Sequence, residues 1–159
     1  MKKVYILLGS NMGNSQEQFI GAKKHIEKNI GPIIRQSNIY KTAAWGNMEQ
    51  ADFLNQVIII NSKYHASATL EKILKIENIM GRIRTEKNAP RLIDIDILFF
   101  NKEIIQTKNL IVPHPALQNR RFTLIPLNQL SPNFIHPVLN KTIHQVLLDC
   151  PDTLAVKKI

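Results

Sequence analysis

Cysteine is almost missing from this 159-residue chain: Cys150 stands alone, so no internal disulfide can form, which agrees with a reducing compartment. Long hydrophobic runs are missing too. Apolar stretches such as 57–60 and 97–100 fall far short of the roughly 20 residues a membrane span needs. No basic start followed by an apolar stretch marks a secretory signal, so a cytoplasmic location is expected. The sequence has no Gly-x-x-x-x-Gly-Lys-Ser/Thr and no protein-kinase glycine loop, which excludes those two phosphate-handling machineries. His25, His65, His136 and His144 show no ligand spacing, which argues against zinc, and no Ser-His-Asp or Cys-His arrangement suggests a nucleophilic triad. Acidic residues are scarce, 12 against 21 Lys and Arg. The resulting net charge of +9 admits nucleic acid, an acidic membrane surface or a polyphosphate as partner.

What is present narrows that choice. Lysines are spread along the chain, whereas Arg82, Arg84, Arg91, Arg120 and Arg121 crowd into 82–121. Guanidinium groups suit multidentate grip on phosphate oxygens, so the clustering favours a compact phosphate site over a diffuse nucleic-acid stripe. The chain is long enough for one domain, 1–159, with a real core, and shows no repeat, linker or low-complexity segment.

Residues 4–8 read as a buried strand that ends at Gly9-Ser10-Asn11. Asn14 and Glu17 can cap a helix whose apolar positions Phe19, Ala22, Ile26 and Ile30 keep helical spacing, and Gly31-Pro32 stops it. Segments 33–40 and 55–63 predict two more strands. Ser67 can cap a second helix with Leu70, Ile73, Leu74 and Met80 on one face, and a strand with two aspartates follows. This β-α-β-β-α-β order predicts an α+β, ferredoxin-like core: an antiparallel sheet with helices packed on it. A C-terminal extension of short strands and helices, near 121–129 and 142–149, completes the chain. The connections 41–54 and 82–91 are longer than such a fold needs and are candidates for function.

Within Pro90-Arg91-Leu92-Ile93-Asp94-Ile95-Asp96-Ile97, strand geometry turns Asp94 and Asp96 to one face and Ile93, Ile95 and Ile97 to the other. Two neighbouring carboxylates repel unless a cation or hydrogen bonds compensate, and Mg²⁺ held jointly with substrate phosphates does so. The pair alone is equally open to a solvent-facing and loop-capping role. Glu77, on the apolar side of the second helix, suggests a buried salt bridge to an arginine. Phe53 and Asn55 share a strand face and could stack on and hydrogen-bond a planar heterocycle, although by themselves they favour core packing of Phe53. His114, in the rigid Val112-Pro113-His114-Pro115 turn before Arg120-Arg121-Phe122, is within reach of a phosphate role.

Taken in order, Gly9-Ser10-Asn11, Tyr40-Lys41-Thr42, Asp52-Phe53-Leu54-Asn55, Gly81-Arg82-Ile83-Arg84, Pro90-Arg91 with Asp94-Ile95-Asp96-Ile97, and Val112-Pro113-His114-Pro115 with Asn119-Arg120-Arg121-Phe122 closely resemble the 6-hydroxymethyl-7,8-dihydropterin pyrophosphokinases. The resemblance covers about residues 4 to 135. It implies an ATP-dependent diphosphotransferase of folate biosynthesis that moves the β,γ-diphosphate of ATP to the pterin hydroxymethyl group and releases AMP. It further implies that Asp94 and Asp96 bind two Mg²⁺ ions. Phe53 and Phe122 would sandwich the pterin, Asn55 would bond its edge, and Thr42, Ala43 and Trp45 would add mostly backbone contacts. Arg82, Arg84, Arg91, Ile97, His114 and Arg120 would surround ATP, with Arg82 and Arg91 assisting the transfer. No nucleic-acid or membrane partner is implied, and a monomer is expected. The chain departs from the family pattern at Asn88-Ala89, where an aromatic residue is common, and at Leu74, Phe53 and Pro115, where Gln, Tyr and Tyr are common.

Two other readings are weaker. A nucleotidyltransferase pairs Gly-Ser with Asp-x-Asp at close spacing, whereas Ser10 and Asp94 lie far apart here. An RNA-binding module fits the basic charge, but the strands lack a basic stripe interleaved with exposed aromatics.

Overall fold

Residues 4–8 are buried along their whole length and form the middle of β1 (Lys2–Ser10), which lies inside the sheet. The computed structural model describes residues 1–43, 52–81 and 92–159. After β1 come α1 (Ser15–Asn29), β2 (Ile33–Gln36), β3 (Tyr40–Thr42), β4 (Phe53–Ser62), α2 (Ala66–Ile79) and β5 (Asp94–Phe100). A small hairpin, β6 (Ile105–Gln106) and β7 (Ile111–Val112), leads through a 3-10 turn at Leu117–Asn119 to α3 (Arg121–Leu130), α4 (Ile143–Leu148) and β8 (Val156–Lys158). The main sheet runs β5-β1-β4-β3-β8, with β2 also on β4, and these pairings are antiparallel. The ferredoxin-like α+β expectation is met, and β8 adds a strand that the sequence reading did not place.

The first helix starts where expected, with Asn14 Oδ1 accepting from the Glu17 amide at 3.1 Å. Past its end, a side chain at Gly31 would collide with the Asn61 carbonyl, so the chain can pass β4 only as glycine. The segment expected as one strand over 33–40 is two, because Ser37 interrupts the ladder. Its hydroxyl accepts from the Val57 amide at 3.0 Å, where a backbone carbonyl would otherwise stand.

The second helix begins one residue before the expected cap. His65 holds the N-cap position, and Ser67 lies inside the first turn with its hydroxyl 3.1 Å from His65 Nδ1. The start is set from below, by the buried Ser62 and Thr69 hydroxyls at 2.7 Å and by the Thr69 hydroxyl donating to the Tyr64 carbonyl. Leu74 is 41% exposed and not on the buried face, which consists of Thr69, Ile73, Ile76 and Glu77. One residue past Ile73 is a rotation of about 100° on a helix, which turns Leu74 outward.

Alternation along the strands builds two cores. Val4, Ile6, Leu8, Ile58, Ile60, Ile95 and Ile97 meet Phe19, Ile26 and Ile73 of α1 and α2. Tyr5, Leu7, Val57, Ile59, Leu98 and Phe99 lie beneath Leu124, Leu127, Ile143 and Val146 of α3 and α4. The β1–β5 register shifts between Tyr5 and Ile6, which lets Leu98 and Phe99 both join the second core. The C-terminal extension therefore covers a second sheet face. No helix among the described residues is long and apolar enough to cross a membrane.

Candidate active site

Facing pairs in an antiparallel sheet put their side chains on the same side. Gly9 on β1 faces Asn55 on β4 and Asp94 on β5, Leu7 faces Val57 and Asp96, Tyr40 faces Asn55, and Thr42 faces Phe53. Since Leu7 and Val57 belong to the core under α3 and α4, the residues Thr42, Phe53, Asn55, Asp94 and Asp96 all share that face, gathered at one end of the sheet. The sequence alone could align Asp94 with Asp96 and Phe53 with Asn55. Bringing the two pairs together required Gly9 between them.

Gly9 lets that row close up, because the Asn55 amide lies over the space a side chain there would take. A Cβ there would lie 2.9 Å from Asn55 Nδ2 and 3.8 Å from Asp94 Cβ. Asn55 is buried and its Nδ2 donates to the Leu8 carbonyl at 3.3 Å, so the amide has a set orientation, with Oδ1 and the second N–H available to a ligand. Thr42 Oγ1 is buried without a hydrogen-bond partner, whereas the neighbouring Ala43 is exposed.

Asp94 and Asp96 are half-buried, while Ile95 and Ile97 point into the opposite core. Among the described residues no group of three or more His, Cys, Asp or Glu side chains could hold a metal. Two carboxylates on one strand face are a donor set that suits Mg²⁺ taking its remaining oxygens from phosphates and water. Ile97 is turned away from the aspartates, so any contact it makes with a nucleotide on their face comes from its backbone. Glu77 of α2 is buried, and its Oε2 accepts the Ile95 amide at 2.8 Å, bracing the strand midway between the two aspartates. The arginines expected to pair with it, Arg82, Arg84 and Arg91, lie outside the described residues, as does Trp45.

His114 stands in a turn with a cis Val112–Pro113 peptide, and its amide donates to the Leu98 carbonyl at 3.0 Å, which ties the turn to β5. Its Nδ1 accepts the Ala116 amide at 3.1 Å. Burial, and then the nearby Arg120 charge, push its pKa down to about 4, so at neutral pH the ring is uncharged and its proton sits on Nε2, a donor. Arg120 and Phe122 open α3, with the guanidinium carbon 5.7 Å from the ring centroid. Two contributors had no sequence signal. Gln129 Oε1 accepts from the Tyr40 hydroxyl at 2.7 Å and holds β3 to α3, and Asp152 Oδ2 accepts the Arg121 amide at 3.0 Å.

Architecture and site define the class first: a ferredoxin-like α+β protein whose second sheet face ends in paired carboxylates beside a buried amide. The family model of 7,8-dihydro-6-hydroxymethylpterin-pyrophosphokinase matches residues 5–132, and the chain belongs to that ATP-dependent family of folate-pathway transferases. It is 39% identical over 145 residues to the 2-amino-4-hydroxy-6-hydroxymethyldihydropteridine pyrophosphokinase of Aquifex aeolicus, covering 91% of this chain and 90% of that protein. It is 38% identical to the folic acid synthesis protein FOL1 of Dictyostelium discoideum, over 94% of this chain but only 22% of that longer protein. A solved Plasmodium falciparum HPPK-DHPS with pteroate superposes with a TM-score of 0.77 at 20% identity, covering 93% of this chain and 42% of that one, which bears on the fold alone.

Proposed function

We propose that this chain transfers the β,γ-diphosphate of ATP to the hydroxymethyl group of 6-hydroxymethyl-7,8-dihydropterin and releases AMP. The observation that carries the reading is the row Asn55, Gly9, Asp94 with Asp96 beside it: a buried amide and two carboxylates on one face, across a glycine, which suit the edge of a heterocycle and a divalent cation. Asn55 presents an acceptor and a donor together, matching the amide-like edge of a pterin, and the partnerless Thr42 hydroxyl supports a ligand at the same place. In this reading Phe53 and Phe122 would supply the flat apolar surfaces, and Ala43 and Trp45 would add mostly backbone contacts.

Asp94 and Asp96 would hold two Mg²⁺ ions, which when bound neutralise phosphate charge and lower the pKa of a coordinated alcohol. The pterin hydroxyl oxygen attacks the β-phosphorus in line, the bond from that phosphorus to the bridging α,β-oxygen breaks, AMP leaves on that oxygen, and the hydroxyl proton passes to solvent. His114 Nε2–H, Arg82, Arg84, Arg91, Arg120 and the Ile97 backbone surround the nucleotide in this reading. Arg82 and Arg91 serve the transferring group, and catalysis is mostly positioning and charge neutralisation. The unit works as a single domain, 1–159, as a cytoplasmic monomer. The packing of α3 and α4 over the second face argues against RNA binding, since a single-strand binder leaves that platform open.

Incubation with ATP, Mg²⁺ and the reduced pterin should yield AMP and the pterin diphosphate. Asp94→Asn and Asp96→Asn should each lower kcat by at least about a hundredfold while keeping the fold, the size expected for loss of one charge-stabilising group. ADP as product, or near-normal turnover by both variants, would overturn the assignment.

A further inference from the structure

Residues 150–159 lie beyond the family match at 5–132 and carry no motif, yet they touch both walls of the pterin pocket. Asp152 Oδ2 accepts the Arg121 amide at 3.0 Å, and its Oδ1 accepts the Leu154 amide at 2.9 Å. Arg121 opens α3, whose N-cap residue Arg120 makes no side-chain capping bond, so the tail provides the cap that the local sequence lacks. A carboxylate at this end also meets the helix's partial positive charge. A few residues later β8 pairs with β3, Val156 against Thr42 and Lys158 against Tyr40, and the Ile159 amide donates to the Ile39 carbonyl at 3.1 Å. Lys41 faces Lys157 directly, both exposed, so side-chain charge opposes this pairing and the backbone ladder must hold it.

We propose that the C-terminal segment is a strap and Asp152 a positioning residue for pterin binding: it holds the start of α3, with Phe122, at a set distance from β3, with Thr42. The strap lies at the β8 edge and the aspartates at the opposite β5 edge, so it reaches the ATP side only through Arg120 at the start of α3, and its loss should affect the pterin more than metal-bound ATP. This rests on the assignment of Thr42 and Phe122 to the pterin pocket, and the test separates the two claims.

The full chain is compared with Asp152→Ala, Asp152→Asn, Phe122→Ala and the double variant Asp152→Ala with Phe122→Ala, reading kcat and both KM values from AMP release. Asp152→Ala should raise the pterin KM about three- to thirtyfold, the range for loss of a helix cap, with the ATP KM, which feels the start of α3 only through Arg120, rising less. Asp152→Asn keeps the shape and one acceptor and should fall between; it carries the test if the alanine variant does not fold. The double variant should bind pterin no worse than Phe122→Ala alone, because Asp152 acts through that ring. An unchanged pterin KM in Asp152→Ala and Asp152→Asn beside a raised one in Phe122→Ala overturns the strap and leaves the pocket standing. Equal rises in both KM values, or a fall in kcat alone, overturn the strap as well. An unchanged pterin KM in Phe122→Ala overturns the pocket and the strap together.

Discussion

Asn55 cannot turn its amide over without placing Oδ1 against the Leu8 carbonyl, so the absence of a side chain at Gly9 and the bond to Leu8 together decide which edge a ligand meets. Repulsion of two acceptors and a lost hydrogen bond would cost about 1–3 kcal/mol. A methyl group at Gly9 would press on Nδ2 and shift the amide. Gly9→Ala should therefore raise the pterin KM roughly tenfold, the equivalent of about 1.4 kcal/mol, with a smaller effect on ATP. Steady-state kinetics with each substrate varied checks this, and equal effects on both substrates would show a general disturbance of the sheet instead. The pairing of Asn55 with Phe53 was legible from strand alternation. The function of Gly9 was not, because its neighbours come from two other strands.

Among elements, β5 carries the most chemistry and has backbone support from a strand on one side only, since it is an edge of the sheet paired with β1. Glu77 compensates by accepting the Ile95 amide from α2, and this explains why an acidic residue occupies a buried helix position. Removing that acceptor in Glu77→Ala would leave a buried N–H unsatisfied, at about 1–3 kcal/mol. Urea denaturation should show that loss, with turnover falling because Asp94 and Asp96 flank the same amide; Glu77→Gln, which keeps an acceptor, should recover most of the stability. Equal stability of Glu77→Ala and the parent would remove Glu77 from this role. Helix periodicity placed Glu77 on the inner side of α2, but its bonding partner depends on how α2 lies along β5, which no spacing within the helix encodes. The misjudged Leu74 and the split at Ser37 have the same origin, since the contacts with neighbouring elements chose between nearly equivalent local patterns.

At the scale of the whole molecule, folding encloses two histidines, His136 fully and His114 in part, whose protonation opposes folding. His114 is held down to about 4, and burial also lowers His136, whose Nδ1 accepts the Val138 and Leu139 amides at 3.1 Å. Unfolded histidine titrates near 6.5, so between about pH 4 and 6.5 the unfolded chain binds more protons than the native one. The stability from the neutral rings is complete above that unfolded value and is lost as pH falls through this window. Denaturation midpoints should be level from pH 7 to 8 and drop steadily from 6.5 towards 4. NMR titration should find the His114 ring neutral at pH 6, and a His114 pKa near 6.5 would remove its share of the trend.

Patterns that repeat every two to four residues reported themselves without the fold: the helix over α1, the apolar strands, the like-facing Asp94 and Asp96, and the order of elements that specifies a ferredoxin-like sheet. Those properties depend on backbone geometry within one element, which a short stretch of chain already carries. The bond from Asn55 to Leu8 spans 47 residues and that from Arg121 to Asp152 spans 31, and each exists because strand register and helix docking brought distant segments into contact. Burial on both sheet faces chose that register, since a slip of one residue would turn each apolar side chain of a strand out of its core. The same choice aligned Asn55, Gly9 and Asp94 and laid the tail across α3 and β3.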